Sequence, residues 1–326
     1  LSYLGNHTTH LWIAEERNPA IYNPAASCTI AGVVYTPCSS TKNTNQRRLL
    51  FPYPGGSYYA SIDTMDDGAV ARYQGLLIST SHRFSQHYQL NANFTDSYCL
   101  SDYDFGAALA GSTNSRIFNR HADWGPCISD TRYNFNLTGV AISSWAGDGW
   151  AHKILSDWQL APLLQARSGQ PLGGINIGTD NSLTGLNNDR PVQILPNVYA
   201  TNSGCSPAPC VQWLNKAAFA VPGSAQDPVG SYGNVGRNAI RGPHFVNFDV
   251  SLVRTFKMTE RYSLQVRAEA FNLFNHPNFV GGYAPSGLYA GQSYGTLSQS
   301  LNAANFGAIT GAYDPRIMQF AMKLFF

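Results

Sequence analysis

Apolar and polar side chains alternate with a period of two in eight segments of this chain, each about 10 to 15 residues long, a length that suits a tilted membrane-crossing strand. In segment 87–97, Tyr88, Leu90, Ala92 and Phe94 share one face while Gln89, Asn91, Asn93 and Thr95 share the other. In 262–270, Tyr262, Leu264, Val266 and Ala268 stand opposite Ser263, Gln265, Arg267 and Glu269. Just before it, Phe248, Val250, Leu252 and Phe256 alternate with Asn247, Asp249, Ser251 and Lys257, and earlier Trp158, Leu160 and Leu164 alternate with Asp157, Gln159 and Gln165. In 316–326, Met318, Phe320, Met322, Leu324 and Phe326 oppose Gln319 and Lys323. Weaker alternation predicts strands at 4–16, 73–84 and 132–145, the last with a phase change near Gly139 that a bulge would explain. Strands with lipid on one face and water on the other carry this pattern. The expected fold is therefore all-β, an antiparallel transmembrane β-barrel, with Asp249, Gln265, Arg267 and Glu269 facing the lumen.

The connections alternate as strictly as the side chains. Segments 85–86, 146–152 and 258–260 are short, whereas 18–70, 99–131, 169–246 and 275–315 are long and rich in Gly, Pro, Asn and Ser. Short turns on one side and long loops on the other are the layout of outer-membrane barrels, with the turns periplasmic and the loops extracellular. A soluble sandwich would rarely carry structureless loops of this length, all on one side. The last strand ends in an aromatic residue and resembles the signal read by the barrel-assembly machinery, with Phe320, Met322, Leu324 and Phe326 as the residues concerned. With that end periplasmic, eight strands counted backwards put residue 1 on the periplasmic side as well.

Composition agrees with a surface that does not face only water. Charged residues make up 12%, about half the usual share for a soluble domain, and aromatic residues 13%. Mean hydropathy is −0.20 and no run of about 18 apolar residues exists, so a spanning helix is not expected. A net charge of +2 suggests neither nucleic acid nor a polybasic anchor. Six cysteines form three local pairs in loop-like sequence, Cys28 with Cys38, Cys99 with Cys127 and Cys205 with Cys210, which reads as disulfides in an oxidising compartment. Zinc is the competing reading, but Cys-x-x-Cys spacing is lacking.

Candidate chemistry is sparse. Asp63, Asp66 and Asp67 could hold calcium, but their spacing lacks the terminal Glu of an EF-hand and a solvated loop surface is the simpler reading. His121 with Asp123, and His276, have metal-ligand chemistry but no evident partner ligands, and a hydrogen bond at the rim is expected for His276. Its glycine-rich stretches neither follow a strand nor open a helix as a phosphate loop would. The expectation is a protein that is not an enzyme and needs no cofactor.

A set of short motifs, in order along nearly the whole chain, resembles the TonB-dependent receptors and within them the Oar-like group. They are Tyr73-Gln74-Gly75-Leu76 with Arg83-Phe84-Ser85, Asp157-Trp158-Gln159-Leu160 with Arg167-Ser168-Gly169-Gln170-Pro171, and Asp189-Arg190-Pro191. Next come Trp213-Leu214-Asn215 with Ala218-Phe219, then Gly233-Asn234-Val235-Gly236-Arg237-Asn238, and Arg241-Gly242-Pro243. The densest runs from Arg267-Ala268-Glu269-Ala270-Phe271-Asn272 through Leu273-Phe274-Asn275-His276-Pro277 to Asn278-Phe279, and Pro315-Arg316 opens the last strand. In these stretches Gly236, Gly242 and Pro243 would shape the loop returning to Phe245, and Pro277 would stop its strand at the rim. The resemblance implies that the chain, 1–326, is the C-terminal part of a barrel of about 22 strands, with the plug domain and TonB-box absent from this sequence. It implies uptake of an extracellular ligand, a siderophore, oligosaccharide or peptide, energised by the TonB complex. Two other readings remain open at this point: a stand-alone eight-stranded outer-membrane barrel with a binding or structural role, and a secreted β-sandwich lectin or hydrolase.

Overall fold

Backbone hydrogen bonds join eight long strands, in chain order, into one antiparallel meander. The computed structural model describes residues 1–102, 115–144, 149–186, 189–201, 205, 210–223, 229–280 and 300–326. The strands are β1 (Ser2–Glu16), β2 (Asp63–Arg83), β3 (Tyr88–Ser101), β4 (Tyr133–Ile142), β5 (Trp158–Arg167), β6 (Phe245–Lys257), β7 (Ser263–Phe271) and β8 (Ile317–Phe325). Each pairs with the next, and Gly125–Pro126 adds a short stretch beside Leu100 and Ser101 of β3. Among the described residues β1 and β8 do not pair, so the sheet is open.

The register turns the period-two pattern into two continuous faces. Ser79 and Ser81 lie opposite Asn93 and Asn91, which lie opposite Asn136 and Thr138 on the other side. Gln165 follows opposite Asn136, then Asn247 opposite Gln165. Further along, Ser251 lies opposite Glu269 and Glu269 opposite Gln319. Hydrogen bonds tie this polar row together, Ser79 Oγ donating to Asn93 Oδ1 at 2.6 Å and Ser81 Oγ to Asn91 Oδ1 at 2.5 Å. On the opposite face Ala92, Leu137, Leu164 and Phe248 form one row, and Leu160, Leu252, Ala268 and Phe320 another. Because the side-chain period is two, a slip of one residue in any pair would carry polar groups onto the apolar face. Arg254 departs from the pattern, a cation on the apolar face at the turn end. Its guanidinium lies over the Phe256 ring at 4.4 Å and donates to the Ile154 carbonyl, in a side chain only 5% exposed.

Three short connections lie at one end, two of them tight, while the one expected at 146–152 spans 143–157. Phe84 N donates to Tyr88 O at 3.0 Å between β2 and β3, and Met258 N to Tyr262 O at 3.0 Å between β6 and β7. The β4–β5 turn carries a six-residue helix, α1 (Trp150–Leu155), and Ser143 Oγ closes it by donating to Leu155 O at 2.5 Å. All four long connections leave from the other end.

Several sequence expectations need correcting. Strand β2 begins at Asp63 rather than near residue 73, because its first residues pair with Ile13 to Glu16 of β1. Cys99 therefore lies within β3, not in a loop. The expected bulge at Gly139 does not occur: β4 keeps one register against β3 from Tyr133 to Ala141, and Val140 and Ile142 fall on the polar face. Register shifts occur instead in β1, between Thr8 and Ile13, where His10 adopts a positive φ of 59°. Strand β7 ends at Phe271, not at Pro277. Asn272 has φ of 51°, and its side chain accepts from His276 N at 2.9 Å, turning the chain five residues before the proline. The predicted strand end at 145 lies outside the described residues. The long connections are not structureless either, since they fold together.

The two faces yield a prediction. Leu252→Arg, at mid-strand on the apolar face, should lower folding stability in lipid vesicles by about 2–4 kcal/mol, while Ser251→Arg on the polar face should cost much less. Denaturant titration of refolded protein measures both. Equal costs would contradict the assignment of faces.

Candidate functional site: the folded cap of long connections

The long connections contribute a hydrophobic core of their own. Leu172, Ile175 and Ile177 of connection 168–244 are buried with Val198, Val211, Leu214, Ala218, Phe219, Val235 and Ile240 of the same segment, and with Leu301, Phe306 and Ile309 of connection 272–316. Val211 and Gln212 pair with Ile309 and Ala308, and the Phe219 and Phe306 rings meet edge to face at 5.5 Å. Gly307, at φ +77°, lets its carbonyl accept from Trp213 N at 2.9 Å and Leu214 N at 3.1 Å; a Cβ there would lie 2.6 Å from that of Leu214. Burial of apolar side chains away from the sheet is what holds these connections as a cap.

Arginines stitch the cap to the strand ends. Arg237, 8% exposed, donates from Nε to Asp123 O at 2.6 Å and from Nη2 to the carbonyls of Ser101 and Gly125. Arg190 pairs with the buried Asp123, whose carboxylate also accepts from Ser115 N at 2.9 Å and Ser115 Oγ at 2.8 Å. Burial lowers the Arg190 pKa from its ordinary value, and Asp123 acts against that shift. Arg241 pairs with the buried Asp130. Arg48 meets Glu16 at 3.5 Å, and Arg120 reaches Glu15 at 3.0 Å and Asp66 at 2.9 Å. Glycines permit the close approaches along the same seam. A Cβ on Gly169 would fall 1.8 Å from Gly242 O, and one on Gly233 2.0 Å from Arg190 O. The motifs containing Gly169, Arg190, Gly233, Arg237 and Gly242 therefore join the connections to one another, with Arg237 also reaching Ser101 of β3.

The three disulfides expected from spacing are present: Cys28–Cys38 within the first connection, Cys99–Cys127 tying β3 to the second, and Cys205–Cys210 in the third. Asp249 accepts from Asn247 Nδ2 and from Asn272 N, both at 2.8 Å. Arg267 and Glu269 approach to 3.5 Å, and Gln265 donates to Thr255 Oγ1 at 3.4 Å. The structure brings Arg267 and Glu269 together but holds Asp249 apart, at the rim turn. Phe320, Met322, Leu324 and Phe326 are all exposed. Asp66 and Asp67 lie in β2, where Arg120 and His10 respectively contact their carboxylates. His121 stacks on Trp124, and His276 Nδ1 lies 3.2 Å from Asn278 Oδ1.

Sequence reading missed one cluster in the third connection. Asp180, Ser182, Thr184 and Asp189 are all buried within it. Burial pushes the Asp189 carboxyl up to about 6, against hydrogen bonds from Ser182. The regular spacing of acids and hydroxyls from 180 to 189 was the available signal.

Residues 1–319 match the family model described as outer membrane beta barrel domain. The chain belongs to the outer membrane beta barrel domain family. No curated protein matches it. Membership accounts for the two-faced sheet of this outer membrane barrel domain, since lipid leaves backbone groups no partner except a neighbouring strand. It places the protein in the outer membrane.

Asp123 links the second and third connections in the outer membrane barrel domain's cap. Asp123→Ala should destabilise that cap by about 3–5 kcal/mol, because it leaves the Arg190 guanidinium buried without its partner. Limited proteolysis should then cut the long connections while the strands stay protected. An unchanged cleavage pattern would contradict the role given to the pair.

Proposed function

We propose that this barrel segment is the C-terminal part of a TonB-dependent receptor of the Oar-like group, importing a ligand captured by the cap. The observation that carries the reading is the open sheet. The outer edges of β1 and β8 present ladder groups that water cannot satisfy inside lipid, and further strands on either side would complete the wall. The ordered motifs of the sequence support the same family, and the proposed barrel size of about 22 strands follows from it.

In this reading the polar rows face the lumen, the three short connections are periplasmic and the cap is extracellular. Exposed Tyr53, Tyr58, Tyr59 and Phe118 give the cap aromatic surface for capture. Energy comes from the inner-membrane TonB complex through a plug and TonB-box preceding residue 1, and the face bearing Phe320, Met322 and Leu324 delivers the strand to the barrel-assembly machinery. No residue is given a catalytic role, and neither nucleic acid nor a cofactor takes part.

Eight strands occupy 35.5 kDa, so a barrel of about 22 strands at the same density has a mass of about 100 kDa. The native polypeptide purified from outer membranes should have about that mass or more, with plug sequence at its N-terminal side, by intact mass spectrometry and terminal sequencing. A native mass near 35.5 kDa would instead favour the stand-alone barrel and remove the transport assignment.

A further inference from the structure

The cluster in the third connection is built differently from the arginine-paired acids of the cap and strand ends. Asp66, Asp123, Asp130 and Glu16 each have an arginine within 4 Å. Asp180 and Asp189 are 9% and 1% exposed, repel one another, and among the described residues share no salt bridge with a cation. Arg47 feels the Asp180 charge, yet its guanidinium is directed at Asn43 Oδ1, Ile21 O and Ser40 O. Among the described residues, Asp189 Oδ1 has no hydrogen-bond partner at all. A buried carboxylate oxygen with nothing to bind is costly, and it points to a missing positive ligand.

The surrounding oxygens fit a hard cation. Ser182 Oγ lies 3.1 Å from Asp180 Oδ1 and 2.9 Å from Thr184 Oγ1, and Ser182 N donates to Asp189 Oδ2 at 2.6 Å. Oxygens held about 2.3–2.6 Å from one calcium ion stand about 3 Å from each other, the spacing found here. Thr184 N at 3.1 Å and Gly185 N at 2.8 Å hold the Asp180 carboxylate in place, and Gly185 takes φ of +84°. In sequence the set reads Asp180-x-Ser182-x-Thr184-Gly185, the order of acid, two oxygen side chains and glycine that opens a calcium loop, with Asp189 closing it from five residues after Thr184. Oxygen-only ligands exclude a preference for zinc or copper.

We propose that Asp180, Ser182, Thr184 and Asp189 form a calcium site that fixes the third connection within the cap. Among the described residues no group of three or more His, Cys, Asp or Glu could hold a metal, so the site has two carboxylates and completes its shell with hydroxyls. Such a low ligand charge corresponds to a dissociation constant of about 10⁻⁴–10⁻³ M, as in extracellular calcium modules. The inference does not depend on transport or on the size of the barrel.

The test is calorimetric titration of CaCl2 into the full-length protein, stripped with EDTA and held in detergent free of lipopolysaccharide. One calcium should bind per chain in that range, and magnesium about tenfold more weakly because it demands a tighter octahedral shell. Asp189→Asn and Asp180→Asn should each weaken calcium by about tenfold or more, as loss of one of two charged ligands requires. Ser182→Ala, which leaves both carboxylates in place, should weaken it less and serves if either amide variant fails to fold. Failure of the wild-type protein to bind calcium, or unchanged affinity in the variants that fold, overturns the proposal.

Discussion

The structure depends on the pairing of every backbone N–H and C=O with a neighbouring strand. In the lipid interior water cannot substitute for a missing partner, so a strand crosses only as part of a continuous ladder. From this one requirement follow the unbroken register from β2 to β8 and the separation of Ser79, Asn93, Asn136, Gln165 and Glu269 from Phe94, Leu164, Leu252 and Phe320. Side chains alternate because the pleat forces them to, and each face then meets the solvent its residues tolerate.

Outside the sheet the same requirement is met by different means. The cap has little regular structure, so its polar backbone is satisfied by buried arginines and asparagines that reach several carbonyls at once. Arg237 serves three carbonyls, and Asn18 accepts from Leu50 N while donating to Ala60 O. The buried apolar cluster around Leu214, Phe219 and Phe306 supplies the driving force, and the arginine seam sets how that cluster sits on the strand ends. Wall and cap are thus one construction, joined where β3 meets Cys127 and Arg237.

The wall was legible in the sequence because a period of two is a local property, visible within any ten residues. Tyr262 to Glu269 declared both faces, and the short segment Met258 to Glu260 declared where the chain reversed. Departures from the pattern misled. The apparent phase change near Gly139 suggested a bulge, yet the ladders on either side keep Val140 and Ile142 in register. The cap was not legible. Its contacts join residues far apart in the chain, as Arg190 with Asp123 or Gln212 with Phe306, and no local period records them. Disulfide partners were readable only because each pair lies close in sequence. Pro277 drew attention as a strand breaker, while the conformation that ends β7 belongs to Asn272, which sequence alone does not distinguish from other asparagines.

The central claim is that β1 and β8 are internal strands of a larger wall, each paired on its outer edge with a strand other than the one at the far side of this sheet. Oxidative cross-linking in native outer membranes tests it directly, with cysteines placed at Leu4 or Asn6 of β1 and at Gln319, Ala321 or Lys323 of β8. Val266→Cys with Met322→Cys, register partners in β7 and β8, provides the positive control. The account predicts a cross-link for the control pair and none between β1 and β8 in any combination. A cross-link between β1 and β8 would show an eight-stranded barrel closed on itself and contradict it.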